Sequence, residues 1–169
     1  MMEQEEAYYP LAQPHELTER EKEDAMGAYL MMFASIGAGL PLPIVNLIAS
    51  VVYFAVNAKK SRFIRFHCHQ SLISQLPTTL LNAGLLYWTL SIVFGETREF
   101  DNIYFGYLAM VAVFNLVYFV LSIVAAIKAR KGQMYYFLLF GNLSYEHAFR
   151  KKAGADADAP QPVNRPPGA

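Results

Sequence analysis

Residues 102–127 read NIYFGYLAMVAVFNLVYFVLSIVAAI, an unbroken run without Asp, Glu, Lys or Arg. At 1.5 Å per residue a helix of that length reaches about 39 Å, more than the roughly 30 Å of a bilayer's hydrocarbon core. Lys128, Arg130 and Lys131 close the run, and Gly132 is placed to cap the helix C-terminus. Upstream, Gln70 to Gly95 repeats the pattern with no charge and enough length to span. Pro77 sits early in it and predicts a kink near Ser74. Between the two runs lies the short stretch Glu96 to Asp101, with three acids and one cation, Arg98.

Ala25 to Ala58 is also free of charge. One straight helix of that length would be about 50 Å long, too long for a single span. Gly37, Gly39, Pro41 and Pro43 interrupt it with permissive glycines and with residues that cannot donate to a helix ladder. The reading is a hairpin of two short helices, Ala25 to about Ala38 and about Pro43 to Asn57, accommodated by tilt or a thinned bilayer. One long kinked span is the alternative. Thr18 and Glu21 match a capping box and set a helix start near Thr18. The predicted fold class is therefore all-α, an integral membrane bundle of about four transmembrane helices. The bundle occupies 18–132, with spans near 25–40, 43–58, 70–95 and 102–127. Residues 1–17 and the Ala/Pro-rich 151–169 read as disordered tails. The aromatic stretch 133–150 is too short to span and reads as an interfacial segment.

Composition agrees with this reading. Of 169 residues 54% are apolar and 17% charged, against roughly 25% charged in soluble domains. The formal net charge is zero, so no basic field points to nucleic acid. The single cysteine, Cys68, excludes an internal disulfide. It is predicted at the cytoplasmic membrane boundary, open to a thiol reagent. Met1 to Asp24 is acidic and lacks the apolar core of a secretory signal. The expected location is a prokaryotic cell (inner) membrane.

Lys and Arg accumulate in loops that stay cytoplasmic. Lys59, Lys60, Arg62 and Arg65 form one such group. Lys128, Arg130 and Lys131, followed by Arg150, Lys151 and Lys152, form another. Placing both groups inside gives a multi-pass protein with both termini cytoplasmic. A three-span alternative moves only the N-terminus outside. Ser61, within the first group, is the expected N-cap of the helix that follows. These cations, with Phe63 and Phe66 as interfacial anchors, are expected to meet lipid headgroups, so the bilayer is the first partner.

No predicted span holds an ionised side chain. Such a charge costs roughly 2.5–3.5 kcal/mol at a helix centre on insertion scales, and its absence argues against an ion pump or proton relay. Uncharged polar residues recur at helical spacing instead. Asn46, Ser50, Tyr53 and Asn57 form one stripe. His67, Gln70, Ser71, Ser74 and Thr78 form a second. Asn115 and Ser122, with Ala112 and Ala126, form a third. These stripes read either as glue between helices or as a polar groove for a peptide, lipid or small solute. His67 and His69, two residues apart, would point about 160° apart on a helix, which disfavours a shared metal. Neither His15 nor His147 has a local partner. No metal and no cofactor is expected. No Ser/His/Asp order, nucleophile elbow, phosphate loop or paired carboxylate occurs in an apolar run, so the chain reads as non-enzymatic.

The run Ser61-Arg-Phe-Ile-Arg-Phe-His-Cys-His-Gln-Ser-Leu72 resembles the signature of the Tic-twenty-like family, through Phe63, Arg65, Phe66, His67, Gln70 and Leu72. Ala126 to Gly132, followed by Tyr135, is similar to that family's close of its last span. Ser71 stands where Ala is usual, and Phe137-Leu138 where a Tyr-Pro pair is frequent. The resemblance covers about Ala25 to Gly141. It implies four helices and a link to protein translocation or membrane-protein assembly, with other membrane proteins or a second copy as partners. A small-solute or lipid carrier working through the polar groove is the alternative function.

Overall fold

A computed structural model describes residues 8–34, 43–95, 99–137 and 139–151. The predicted Gly37–Pro41 break, the Glu96–Arg98 stretch and the tail from Lys152 onward lie outside the described residues. Among the described residues the chain is all-helical, with one isolated bridge between Tyr8 and Arg150. Helix α1 is Glu19–Leu30, continued by a 3-10 turn Met31–Phe33. Then come α2 Pro43–Asn57, α3 Arg62–Val93, α4 Asn102–Arg130 and α5 Phe140–Phe149.

Local chemistry sets these boundaries. The Thr18 hydroxyl accepts from Glu21 N at 3.2 Å, and Glu21 Oε2 accepts from Thr18 N at 2.9 Å, which completes the predicted capping box. The Thr18 backbone N–H on its oxygen holds the Glu21 carboxyl below the usual range. Ser61 Oγ accepts from Ile64 N at 3.3 Å and starts α3 at Arg62. The basic stretch up to His69 is therefore already helical, as the Ser61 cap predicts. Asp101 Oδ1 accepts from Tyr104 N at 2.7 Å and caps α4. Gly132, with φ +72°, ends α4, in the left-handed region that glycine enters without a Cβ clash. Pro14 and Leu17 pack closely there, 3.1–3.3 Å from where a Cβ would sit.

Among the described residues two helices, not four, are long and apolar enough to cross a membrane: α3 and α4. Helix α2 has 15 residues, about 22 Å of rise. Helix α1 has 12, and its first half is charged from Glu19 to Asp24. In α3 and α4 only 17% and 22% of the most apolar stretch is buried. Leu80 is 72% exposed and Val113 and Leu116 are each 62% exposed. A core helix of a water-soluble domain hides such side chains. These faces fit a membrane protein. Helix α3 runs unbroken through Pro77.

The core sits at one end of the α3–α4 pair. Ala25 and Tyr29 of α1 pack with Phe63, Ala125, Ala126, Ala129 and Phe137. Alanines on α4 let α1 approach closely. Phe63 and Phe66 are 4% and 0% exposed, so they are core residues and not interfacial anchors. Cys68 is buried with Ala28 and Ile64, which corrects the expectation of an open thiol. Residues 8–17, read from sequence as tail, lie against this end: Tyr9 N donates to Phe149 O at 2.9 Å, and Tyr8 stacks on Tyr145 at 5.4 Å. The stretch read as one interfacial segment divides into the non-helical 133–137 and α5.

Candidate functional site

The buried side of α3 follows steps of seven residues. Ile64, Ser71, Thr78 and Ile92 are all buried. Gln75, Asn82 and Thr89 form a parallel row. On α4, Tyr104, Val111, Tyr118 and Ala125 face them, with Asn115, Ser122 and Ala129 alongside. Seven-residue steps keep one seam facing its partner over many turns. The polar members of these rows make a continuous band of hydrogen-bonding side chains.

The band begins where α1 meets α3. Gln70 Nε2 donates to the Tyr29 hydroxyl oxygen at 2.9 Å and to Tyr135 O at 2.8 Å. Gln70 Oε1 accepts from Phe137 N at 3.3 Å. Tyr29 oxygen lies 2.9 Å from His67 Nδ1. Which of the two donates follows the imidazole tautomer. His67 Nε2 is buried without a hydrogen-bond partner, and Phe63 and Phe66 meet the ring in T-shaped contacts at 4.5 and 5.0 Å.

Further along, Ser71 Oγ donates to Ala28 O at 2.7 Å, and Gln75 Nε2 donates to Ser50 Oγ. Ser74 and Thr78 hydroxyls return to the α3 backbone at Ser71 O and Gln75 O. Tyr118 lies beside Ser74, Gln75 and Ser122. Gln75 Oε1 and Ser122 Oγ are buried without a hydrogen-bond partner. Asn82 and Asn115 exchange amide hydrogen bonds, both 2.9 Å. Thr89 and Tyr104 hydroxyls lie 2.9 Å apart, and the Tyr107 hydroxyl donates to Leu81 O at 3.0 Å. Gly84 leaves room for it, since a Cβ there would lie 2.8 Å from the Tyr107 oxygen. From His67 to Thr89 the helix rises about 33 Å, comparable to the hydrocarbon thickness.

The three predicted stripes are brought together only in part. Of the first, Ser50 joins the band through Gln75. Tyr53 instead donates to Asp24 O at 2.9 Å, tying α2 to α1, and Asn57 donates to Tyr53 O at 3.0 Å within α2. Asn46 is half-buried on the same helix. Tyr29, Gln75, Asn82, Thr89, Tyr104 and Tyr118 belong to the band and were missed. The seven-residue repeat of Gln75, Asn82 and Thr89 was the signal that could have found three of them.

The cations divide into two groups. Lys60 pairs with Asp24 at 2.8 Å, and Arg130 with Glu19 at 2.6 Å and Glu23 at 3.3 Å. Arg65 Nε donates to Ala58 O at 3.0 Å, and Lys128 Nζ to Gln133 Oε1 at 3.1 Å. A Lys22 hydrogen bond, then one from Arg130, holds the Glu19 carboxyl below the ordinary range. Lys59 and Lys131 are exposed. Arg62 lies over the Tyr9 ring at 3.4 Å. His147 stacks on His69 at 4.2 Å, and His69 Nδ1 lies 3.0 Å from Ser144 Oγ. Among the described residues no three His, Cys, Asp or Glu side chains group to hold a metal.

Chemically, the band is cohesive: most of its polar groups face one another. No curated protein and no solved structure matches the chain. The likeness of Ser61–Leu72 to the Tic-twenty-like signature is overturned, because a different family's model covers most of the chain. Phe63, Phe66, His67 and Gln70, which carried that likeness, are core and hydrogen-bonding positions that packing alone requires. The chain belongs to the MamF/MmsF family, the magnetosome magnetite crystal formation proteins, whose model matches residues 21–143.

Proposed function

We propose that this chain is a multi-pass protein of the magnetosome membrane that takes part in magnetite crystal formation as a non-catalytic, structural component. The family match over residues 21–143 is the observation that carries this reading. The exposed apolar faces of α3 and α4 support its placement in lipid. The engagement of most of the buried band with itself supports a structural role over a catalytic one.

The finer topology is part of the same proposal. Helices α3 and α4 cross the membrane, and α1 with its 3-10 turn and α2 form a short re-entrant pair beside them, so the chain crosses an even number of times. Both termini lie on the cytoplasmic side. The ion pairs Lys60–Asp24 and Arg130–Glu19 support this. They gather the start of α1, the end of α2, the start of α3 and the end of α4 at one end of the molecule, with the cationic groups. The positive-inside tendency then gives that end its side.

Deleting the gene in its host and imaging the crystals by electron microscopy tests the reading. The expected result is a changed crystal number or size, restored by the wild-type gene. Unchanged crystals in the deletion strain, with the protein normally present in wild-type magnetosome membranes, would overturn it.

A further inference from the structure

At the cationic end of the molecule, residues 8–13 cross the surface between α3 and α5 and leave two adjoining cavities that share Pro10 and Leu11. The larger, about 650 Å³, is lined by Tyr8, Tyr9, Gln13, Tyr145 and Lys151. The smaller, about 240 Å³, includes Arg62. The Tyr9 ring joins the two: the Arg62 guanidinium lies 3.4 Å from its centre and the Lys151 ammonium 5.7 Å. Two cations on one aromatic ring repel each other, yet neither has a carboxylate partner among the described residues, unlike Lys60 and Arg130 nearby. The acids close by are engaged. Glu21, in the smaller cavity, bonds Thr18, and Glu16 accepts from Gln13 N at 2.7 Å.

We infer that this is a binding site for the headgroup of an anionic phospholipid, with Arg62 and Lys151 on its phosphate and the tyrosines as its wall. Three observations carry it. Charge complementarity calls for an anion where two cations without a carboxylate partner among the described residues meet. Arg62 is the first residue of α3, the helix whose apolar length suits a membrane, so the cavity opens at the bilayer surface. Tyrosine is the residue that tolerates that boundary, apolar in its ring and polar at its tip. Arginine binds phosphate as a fork and lysine as a point charge. A lipid is favoured over free phosphate because the site adjoins the membrane.

The test uses the full-length chain in detergent with equal phosphatidylglycerol and phosphatidylcholine, read by native mass spectrometry. The expected result is preferential retention of about one phosphatidylglycerol. Removing both cations, Arg62→Gln with Lys151→Gln, should cut that enrichment about tenfold or more, while Lys59→Gln with Lys131→Gln leaves it unchanged. Trp88 fluorescence reports folding. Should the double variant misfold, Lys151→Glu alone, a surface change, must also lower the enrichment. Equal retention of the two lipids would overturn the inference, as would equal loss in the Lys59/Lys131 variant. Displacement of the lipid by millimolar inorganic phosphate would assign the site to free phosphate and also overturn it.

Discussion

Gln70 has three partners on two other segments, Tyr29, Tyr135 O and Phe137 N, and is fully buried. Replacing it with Leu leaves a backbone N–H and a carbonyl without partners in the core, a loss of about 1–3 kcal/mol. Asn115 makes one reciprocal pair with Asn82, half-buried between two apolar helices. Interhelical polar contacts in that setting average about 0.6 kcal/mol, so Asn115→Ala should cost less than Gln70→Leu. Unfolding titrations in mixed micelles measure both, and equal losses would refute this ranking. Glu21 gives a pH dependence. Its carboxyl is held below the usual range by the Thr18 N–H, so its contribution is present above that range and lost as pH falls through the lowered value. Amide protection in the first turn of α1, taken relative to the unfolded chain at the same pH, should fall on acidification, and Glu21→Gln should blunt the change. His67, Gln70, Ser71 and Ser74 were legible because helical spacing puts them on one face. Tyr29 was not, because its partners His67 and Gln70 lie 38 and 41 residues away and no local pattern marks it.

At the scale of the elements, the caps were readable and the packing was not. Thr18, Ser61 and Gly132 act within three or four residues of themselves, so sequence spacing suffices to place them. The seat of residues 8–17 depends on contacts such as Tyr9 with Phe149 and Tyr8 with Tyr145, which periodicity cannot express. Nor can it show that His69 and His147 stack. The join of α1 to α2 gives a direct prediction. A Cβ on Gly27 would run into the Tyr53 hydroxyl that bonds Asp24 O. Gly27→Ala should therefore destabilise by about 1–3 kcal/mol through overpacking. Gly106, with nothing within 4 Å of a Cβ, is the control; Gly106→Ala should be neutral or mildly stabilising, since Ala favours helix over Gly. Thermal unfolding of the two variants reads the difference, and a Gly27→Ala protein as stable as wild type would refute the contact.

On the scale of the whole molecule, the chain is a packed cationic end from which α3 and α4 extend as an apolar pair sealed by a polar seam. Membrane character was legible because charge-free runs of that length have few other uses. The number of long helices was not, because the charges of α1 and the shortness of α2 matter more than their apolar content. Family membership was not legible either, since a motif of aromatic and basic residues around one His follows from packing at the start of α3. The central claim is that the chain threads the membrane with its cationic connections on one side and the α3–α4 loop on the other. Single cysteines at Lys59, Phe100 and Lys131, in a Cys68→Ala background, treated with an impermeant maleimide on intact magnetosomes, measure this most directly. Positions 59 and 131 should label from the outer, cytoplasmic face and position 100 only after the membrane is opened; labelling of all three from the same face, or recovery of the protein in the soluble fraction, would contradict the account.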